Sequence, residues 1–318
     1  MEFGFEVSLC SWLETTTDWL IARQLGGAVA TPGSRIVDIC GVVPGREFAA
    51  RTRITSQAIP SLAIESDAGA GEAVEATQAF DCSVDHARSV IERATACGFF
   101  ETERRNGRLF VRQTARYPNW IGGLVGIENK PDLETPGELQ RQLRVDVSLG
   151  LFDRVILATE SYVTEAHLNR IPEAVGVWRF DPETAERTVV RAPTPLGVAE
   201  TGVELQATKP LRTDVAFVTP AEKRAKRRRI AERAYGKGWR TYTFPDCRRI
   251  EPTEDGRPYC SWFDRVVEPA VACGQECEGF EAGEPPAVDY EALRDERSPW
   301  VANPEGTQRA QSGLDRFL

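Results

Sequence analysis

IGGLVGIENK, residues 121–130, is apolar through most of its length and ends in two charges, Glu128 and Lys130. A short apolar run of this kind reads as a buried strand. Side chains at i and i+2 of a strand point to the same face, so Glu128 and Lys130 project together. Lys130 is the only lysine in the first 208 residues; arginine supplies every other cation there. A position that keeps lysine in such a chain calls for a compact ammonium rather than a planar guanidinium.

Outward from this stretch the pattern continues on both sides. Upstream, the turn Thr31-Pro32-Gly33-Ser34 precedes RIVDICGVV, residues 35–43, a second buried strand with Asp38 inside it. An unpaired carboxylate in an apolar strand is costly, so Asp38 is expected to be paired or to bind metal. Downstream, Gly137 to Leu151 predicts a helix, with Leu139, Gln142, Leu143, Val147 and Leu151 on or near one face. RVILA at 154–158 and VGVWRF at 175–180 predict two more strands. Residues 3–14 place Phe5, Leu9, Trp12 and Leu13 at helical spacing. Strand, helix, strand in this order gives an α/β fold. If the Asp38 and Glu128 strands are neighbours, two carboxylates and one ammonium meet. Such a trio suits phosphodiester hydrolysis: Asp38 and Glu128 offer hard oxygens to Mg²⁺ or Mn²⁺, and Lys130 neutralises charge on the phosphate. The plainest rival reading of Glu-x-Lys is a surface ion pair.

The order helix, Asp-bearing strand (RIVDIC), Glu-x-Lys strand (GIENK), helix (ELQRQLRVDVSLG) and strand (RVILA) resembles the PD-(D/E)XK nuclease superfamily. The resemblance covers residues 1–50 and 120–180. It implies a restriction-endonuclease-like mixed sheet flanked by helices. It also implies a helper glutamine after Glu-x-Lys, matched by Gln142, and an acid on the first helix, matched by Glu6. The sequence departs from the pattern in one respect: about ninety residues separate Asp38 from Glu128, so an insertion must lie between them. Asp67 competes with Asp38 for the role. The chain also resembles a family of halophilic archaea, which by itself implies no activity.

The insertion has its own signature. Ser83 is a candidate N-cap for a helix carrying Ala87, Val90, Ile91, Ala94 and Cys97, and Gly98 ends it. FFETERR and RLFVR then flank Asn106-Gly107, a strong hairpin signal. A helix followed by a basic hairpin resembles the second half of a winged-helix module, with Arg104, Arg105, Arg108 and Arg112 in the wing. A second basic segment, EKRAKRRRIAERAY at 222–235, predicts a helix whose Lys226, Arg227 and Arg228 would contact nucleic-acid phosphates.

Cys247, Cys260, Cys273 and Cys277 follow with spacing C-x12-C-x12-C-x3-C. Four thiolates suit structural Zn²⁺ or an iron–sulfur cluster; only the last pair has a usual ligand spacing. Cys10, Cys40, Cys82 and Cys97 read as buried thiols. The chain ends QSGLDRFL, where Gln311, Leu314, Phe317 and Leu318 resemble the PIP box that docks on the PCNA sliding clamp.

These signals divide the chain into six parts. Residues 1–50 and 119–220 form the two halves of the core, and 51–118 the insertion. The basic helix spans 221–244, the four-cysteine metal module 245–282 and a flexible tail 283–318. Composition sets the limits. The 48 acidic residues outnumber the 39 Lys and Arg, for a net charge of −9, and there is one Met. This acidic, lysine-poor balance fits a salt-adapted source. With two histidines, a Ser-His or Cys-His hydrolase is disfavoured. The absence of a long apolar run or a signal-like start predicts no membrane span and a cytoplasmic location. The expected function is a DNA nuclease of replication or repair; the rivals are a non-catalytic DNA-binding protein and an RNA-processing protein.

Overall fold

The computed structural model describes residues 2–134, 137–209 and 211–305. Its centre is a mixed sheet of six strands flanked by helices, in an α/β arrangement. In chain order the principal elements are α1 (Glu2–Thr16), β1 (Leu20–Gly26), β2 (Ile36–Pro44), α2 (Val84–Ala96), β3 (Ile121–Asn129) and α3 (Leu139–Leu149). They continue with β4 (Arg154–Thr159), β5 (Gly176–Asp181), β6 (Glu186–Arg191), α4 (Pro220–Lys237) and α5 (Tyr290–Arg297). The sheet order is the chain order, β1 to β6. β1, β2 and β3 form an antiparallel meander, β3, β4 and β5 run parallel, and β6 returns antiparallel. Parallel neighbours need a crossover, and α3 supplies the one between β3 and β4.

The strands form where continuous apolar sequence demands burial on both faces. One face packs on α1 through Phe5, Leu9, Ile39, Ile127 and Ile156. The other packs on α3 and α4 through Leu143, Leu157, Ile230 and Ala234. α3 stops at Gly150, whose φ of +56° is open to glycine at little cost. α4 starts with Pro220 in its first turn and a reciprocal Thr219–Glu222 capping box.

Four expected strands and the helices at 3–14, 83–97, 137–151 and 222–235 appear within a few residues of their anticipated bounds. Three features differ. α1 is buried on almost every side, because Trp239 and Tyr242 cover the face turned away from the sheet. β1, β6 and an antiparallel hairpin, Gly202–Lys209 with Arg212–Val218, join the expected elements. The chain beyond 283 is not a free tail throughout. α5 docks on α4, with Arg294 donating to Ala234 O at 3.1 Å, and the Trp300 indole donates to Ser56 O at 3.0 Å. Gln311, Leu314, Phe317 and Leu318 lie outside the described residues.

The insertion carries helices Ser61–Ile64 and Ala76–Ala79 ahead of α2, and a separate three-stranded sheet. Arg108–Gln113 is central in that sheet, between Val74–Glu75 and Phe100–Arg105. Asn106 and Gly107 turn the hairpin with φ of +51° and +80°, as a two-residue type I′ loop requires.

Candidate active site and basic clefts

The antiparallel register pairs Ile39 with Ile127, so Asp38, one residue back along β2, stands across from Glu128, one residue on along β3. The Asn129 N–H donates to Asp38 Oδ2 at 2.9 Å. The Lys130 N–H donates to Ala158 O at 2.9 Å, which ties Lys130 to β4 just past the end of β3. Asp38 and Lys130 are half-buried, while Glu128 is buried. All three lie at the carboxyl end of β3, where open α/β sheets commonly bind ligands.

Glu6, on α1, is buried nearby. It accepts from Arg23 Nε at 2.9 Å, Arg23 Nη2 at 3.1 Å and Gln24 Nε2 at 3.0 Å. Gln142 is half-exposed, and Asp146, one turn further along α3, takes the inward place. Asp67, the alternative acid, is exposed in the insertion.

Two residues absent from the sequence-based site organise it. Arg35 is buried at the start of β2 and bridges two acids. Its Nη2 lies 2.5 Å from Glu128 Oε2 and 2.6 Å from Asp146 Oδ2, and its Nε donates to Asp146 Oδ1 at 3.0 Å. A signal was present, since Asp146 sits three residues after Leu143 and seven after Leu139, on the buried face of α3.

Burial pushes the Asp38 carboxyl up to about 6; the Asn129 N–H opposes the rise and Glu6 adds to it. Burial pushes Glu128 up to about 8, the Asp38 charge adds to the rise, and Arg35 opposes it. Two close carboxyls that resist joint ionisation are the condition that a bound cation relieves. Among the described residues, no hydrogen bond reaches Asp38 Oδ1 or Glu128 Oε1. One oxygen on each is therefore open to a hard cation. Also among the described residues, no three His, Cys, Asp or Glu side chains are already assembled around one ion position.

The basic residues separate into different roles. Arg227 turns inward, with its Nη2 2.7 Å from Asp153 Oδ2 and its Nη1 donating to Leu151 O at 2.6 Å. Lys223 is also buried, donating to Gly197 O at 3.0 Å and Glu200 O at 3.1 Å. Lys226 and Arg233 face a cleft of about 460 Å³ between α4 and α2, which Arg93 and His86 line from the other side. Desolvation and the like charges of Arg229 and Arg233 lower the Lys226 ammonium below its usual range. This cleft reaches Leu25 and Gly26, next to the Gln24 that holds Glu6. Arg228 faces a second cleft, of about 490 Å³, with Arg116. In the hairpin, Arg105 pairs with Glu103, Arg108 with Glu75 and Arg112 with Glu101, so much of its positive charge is met locally.

The four C-terminal cysteines line one small cavity. Burial raises the Cys273 thiol, and Cys260, Cys247 and Cys277 push it the same way. All eight cysteines are free thiols. No helix among the described residues is long and apolar enough to cross a membrane.

The fold and site define a mixed α/β protein with a buried acid pair at the end of its central strands. The chain belongs to the family described as a family of unknown function, DUF5787, whose model matches residues 20–282. That span takes in Asp38, Glu128, Lys130 and all four C-terminal cysteines, and leaves out α1 and α5 altogether. No curated protein matches the chain, and no solved structure does.

Proposed function

We propose that this chain is a metal-dependent nuclease acting on DNA, with its site at Asp38, Glu128 and Lys130. The observation that carries the reading is the antiparallel register that sets Asp38 opposite Glu128 on adjacent strands, with Lys130 two residues after Glu128, just past the end of β3. The order α1, Asp-bearing strand, Glu-x-Lys strand, α3, β4 supports a restriction-endonuclease-like core.

Asp38 and Glu128 would hold Mg²⁺ or Mn²⁺ through their open oxygens; such an ion supplies a water activated near neutral pH and charge compensation at the phosphate. The chain's own groups do the positioning. Asn129 N–H fixes one Asp38 oxygen, and Arg35 fixes one Glu128 oxygen. Lys130 presents an ammonium to the scissile phosphate and helps orient the attacking water. Glu6 adds negative charge behind Asp38. The cleft at Lys226, Arg233 and Arg93 would take flanking phosphates, whose contacts position a strand without reading its sequence.

In the insertion, the order helix, short strand, helix, helix, hairpin supports a winged-helix-like unit that steadies the DNA. The terminal Gln311, Leu314, Phe317 and Leu318 would dock on the PCNA sliding clamp; deleting 311–318 should abolish clamp binding and leave cleavage intact.

The test is cleavage of plasmid, linear and single-stranded DNA and of matched RNA with Mg²⁺ or Mn²⁺. Glu128→Gln and Lys130→Ala should each lower the rate by about 10²-fold or more, with circular dichroism unchanged. Cleavage that survives both substitutions overturns the assignment. One observation favours a second reading. The 2.5 Å contact between Arg35 and Glu128 already gives that acid a cation. A protein that only binds DNA would keep such a pair, and would show tight binding, no cleavage and indifference to both substitutions.

A further inference from the structure

The segment 245–282 has little with which to hold itself together. Its three strands are Ile250–Pro252, Pro258–Cys260 and Arg265–Val266. Its buried apolar cluster is Cys247, Ile250, Cys260 and Val267, so two of the four members are thiols. A unit of this size rarely folds on so small a core without a disulfide or a metal. A disulfide is not formed, since these cysteines are free.

The four thiols come from separate places in the segment to the wall of one cavity, without any three of them yet standing at ligand distance from one point. Cys247 is tied by a β-bridge to Ala282, and Cys260 pairs with Ile250 in the small sheet. Cys273 caps the turn Pro269–Ala272, and Cys277 follows in a loop where Cys277 N donates to Gly274 O at 3.0 Å. All four line one cavity of about 10 Å³. Cys247 and Cys260 are buried, whereas Cys273 and Cys277 are half-buried on the outer loop. Closing on an ion therefore asks the outer pair, Cys273 and Cys277, to move toward the inner pair, Cys247 and Cys260.

We propose that Cys247, Cys260, Cys273 and Cys277 hold one structural zinc ion. Four thiolates satisfy tetrahedral zinc completely and leave no open position for chemistry. An iron–sulfur cluster would use the same four thiolates, and metal analysis tells the two apart. The ion would act on the rest of the chain through α1. The segment rests on that helix by Arg257 Nη1 donating to Ser8 Oγ at 2.6 Å and by the Ser11–Asp255 hydrogen bond. α1 in turn carries Glu6 to the acid pair. Binding the ion takes four protons off the thiols and involves no redox change.

The experiment is metal analysis of the full chain purified without chelators. About one zinc per chain is expected, with one equivalent released to a chromogenic indicator when an organomercurial blocks the thiols. The double variant C273S/C277S should lose that zinc and keep the far-ultraviolet circular dichroism of the sheet and helices. Chelator treatment of the unaltered chain should lower its melting temperature, and added zinc should restore it, which covers a variant that does not fold. Wild-type protein without stoichiometric zinc overturns the proposal. So does zinc retained by the double variant, or stoichiometric iron with visible absorption. None of these results depends on cleavage, so the zinc site and the nuclease reading fail separately.

Discussion

Replacing Arg35 by methionine removes the cation that two buried carboxylates share. The side chains of Arg35, Glu128 and Asp146 are 5%, 5% and 4% exposed, so water cannot substitute for the lost guanidinium. Breaking a buried ion pair by deleting one partner costs about 3–5 kcal/mol, because a charge is left uncompensated in a low-dielectric place. Here two acids are orphaned. One can escape by taking up a proton, and Glu128, already pushed up to about 8, is the one that does so most readily. The loss therefore falls mainly on Asp146, and about 3–5 kcal/mol is the expected destabilisation, equivalent to a melting-temperature drop of roughly 6–15 °C. The assay is urea denaturation of wild type, Arg35→Met, Asp146→Asn and the double variant. The double variant should be more stable than the sum of the two single losses predicts, by about 1.5 kcal/mol or more. Losses that add within about 0.5 kcal/mol would mean that the two side chains are uncoupled, and the argument for an organising guanidinium would fall.

Two further predictions concern the same core. Asp38 and Glu128 both titrate above their unfolded values, so their contribution to stability is full below about pH 4 and is lost as pH rises through about 6 and then about 8. Melting temperature should fall across that window, by an amount equivalent to roughly 3 kcal/mol for Asp38 alone, and millimolar Mn²⁺ should reduce the fall. The variant D38N/E128Q is the control and should be flatter with pH; an equally steep profile in it refutes the assignment to this pair. Elsewhere, Arg51 is fully buried, pairs with Glu232 at 2.8 Å, donates to Thr55 O and Gln57 O, and lies over Tyr235 at 3.9 Å. Arg51→Leu should cost about 3–5 kcal/mol and speed proteolysis within 55–80, where the insertion leaves α4; an unchanged digestion rate would show that this pair does not anchor the insertion.

What could be read in advance followed from burial on both faces. RIVDICGVV, IGGLVGIENK, RVILA and VGVWRF are nearly uninterrupted apolar runs, and no exposed element tolerates them. β1, LIARQLG, escaped notice because it carries Arg23 and Gln24, whose polarity is cancelled by Glu6 only in three dimensions. The hairpin at 202–218 is solvated along much of its length, with Phe217 75% exposed, so its apolar residues do not mark a core. Lys130 was conspicuous by its rarity, and Asp38 by its setting. Arg35 was not, because an arginine at a strand's edge is ordinary until Asp146 is known to face it. Of the basic helix, its density was legible but its orientation was not. Arg227 turned inward to Asp153, 74 residues earlier, a partner that only the tertiary fold supplies.

The double-sided burial of α1 has a consequence for synthesis on the ribosome. The helix spans residues 2–16, and part of its cover comes from Trp239, whose indole donates to Glu14 at 3.0 Å, and from Arg257. At about 5–20 residues per second, roughly 10–50 s separate the emergence of the helix from that of its last partners. For that interval Phe3, Phe5 and Tyr242's future contact surface have no lid, and the growing chain must rely on a chaperone or on provisional collapse to keep them from neighbouring chains.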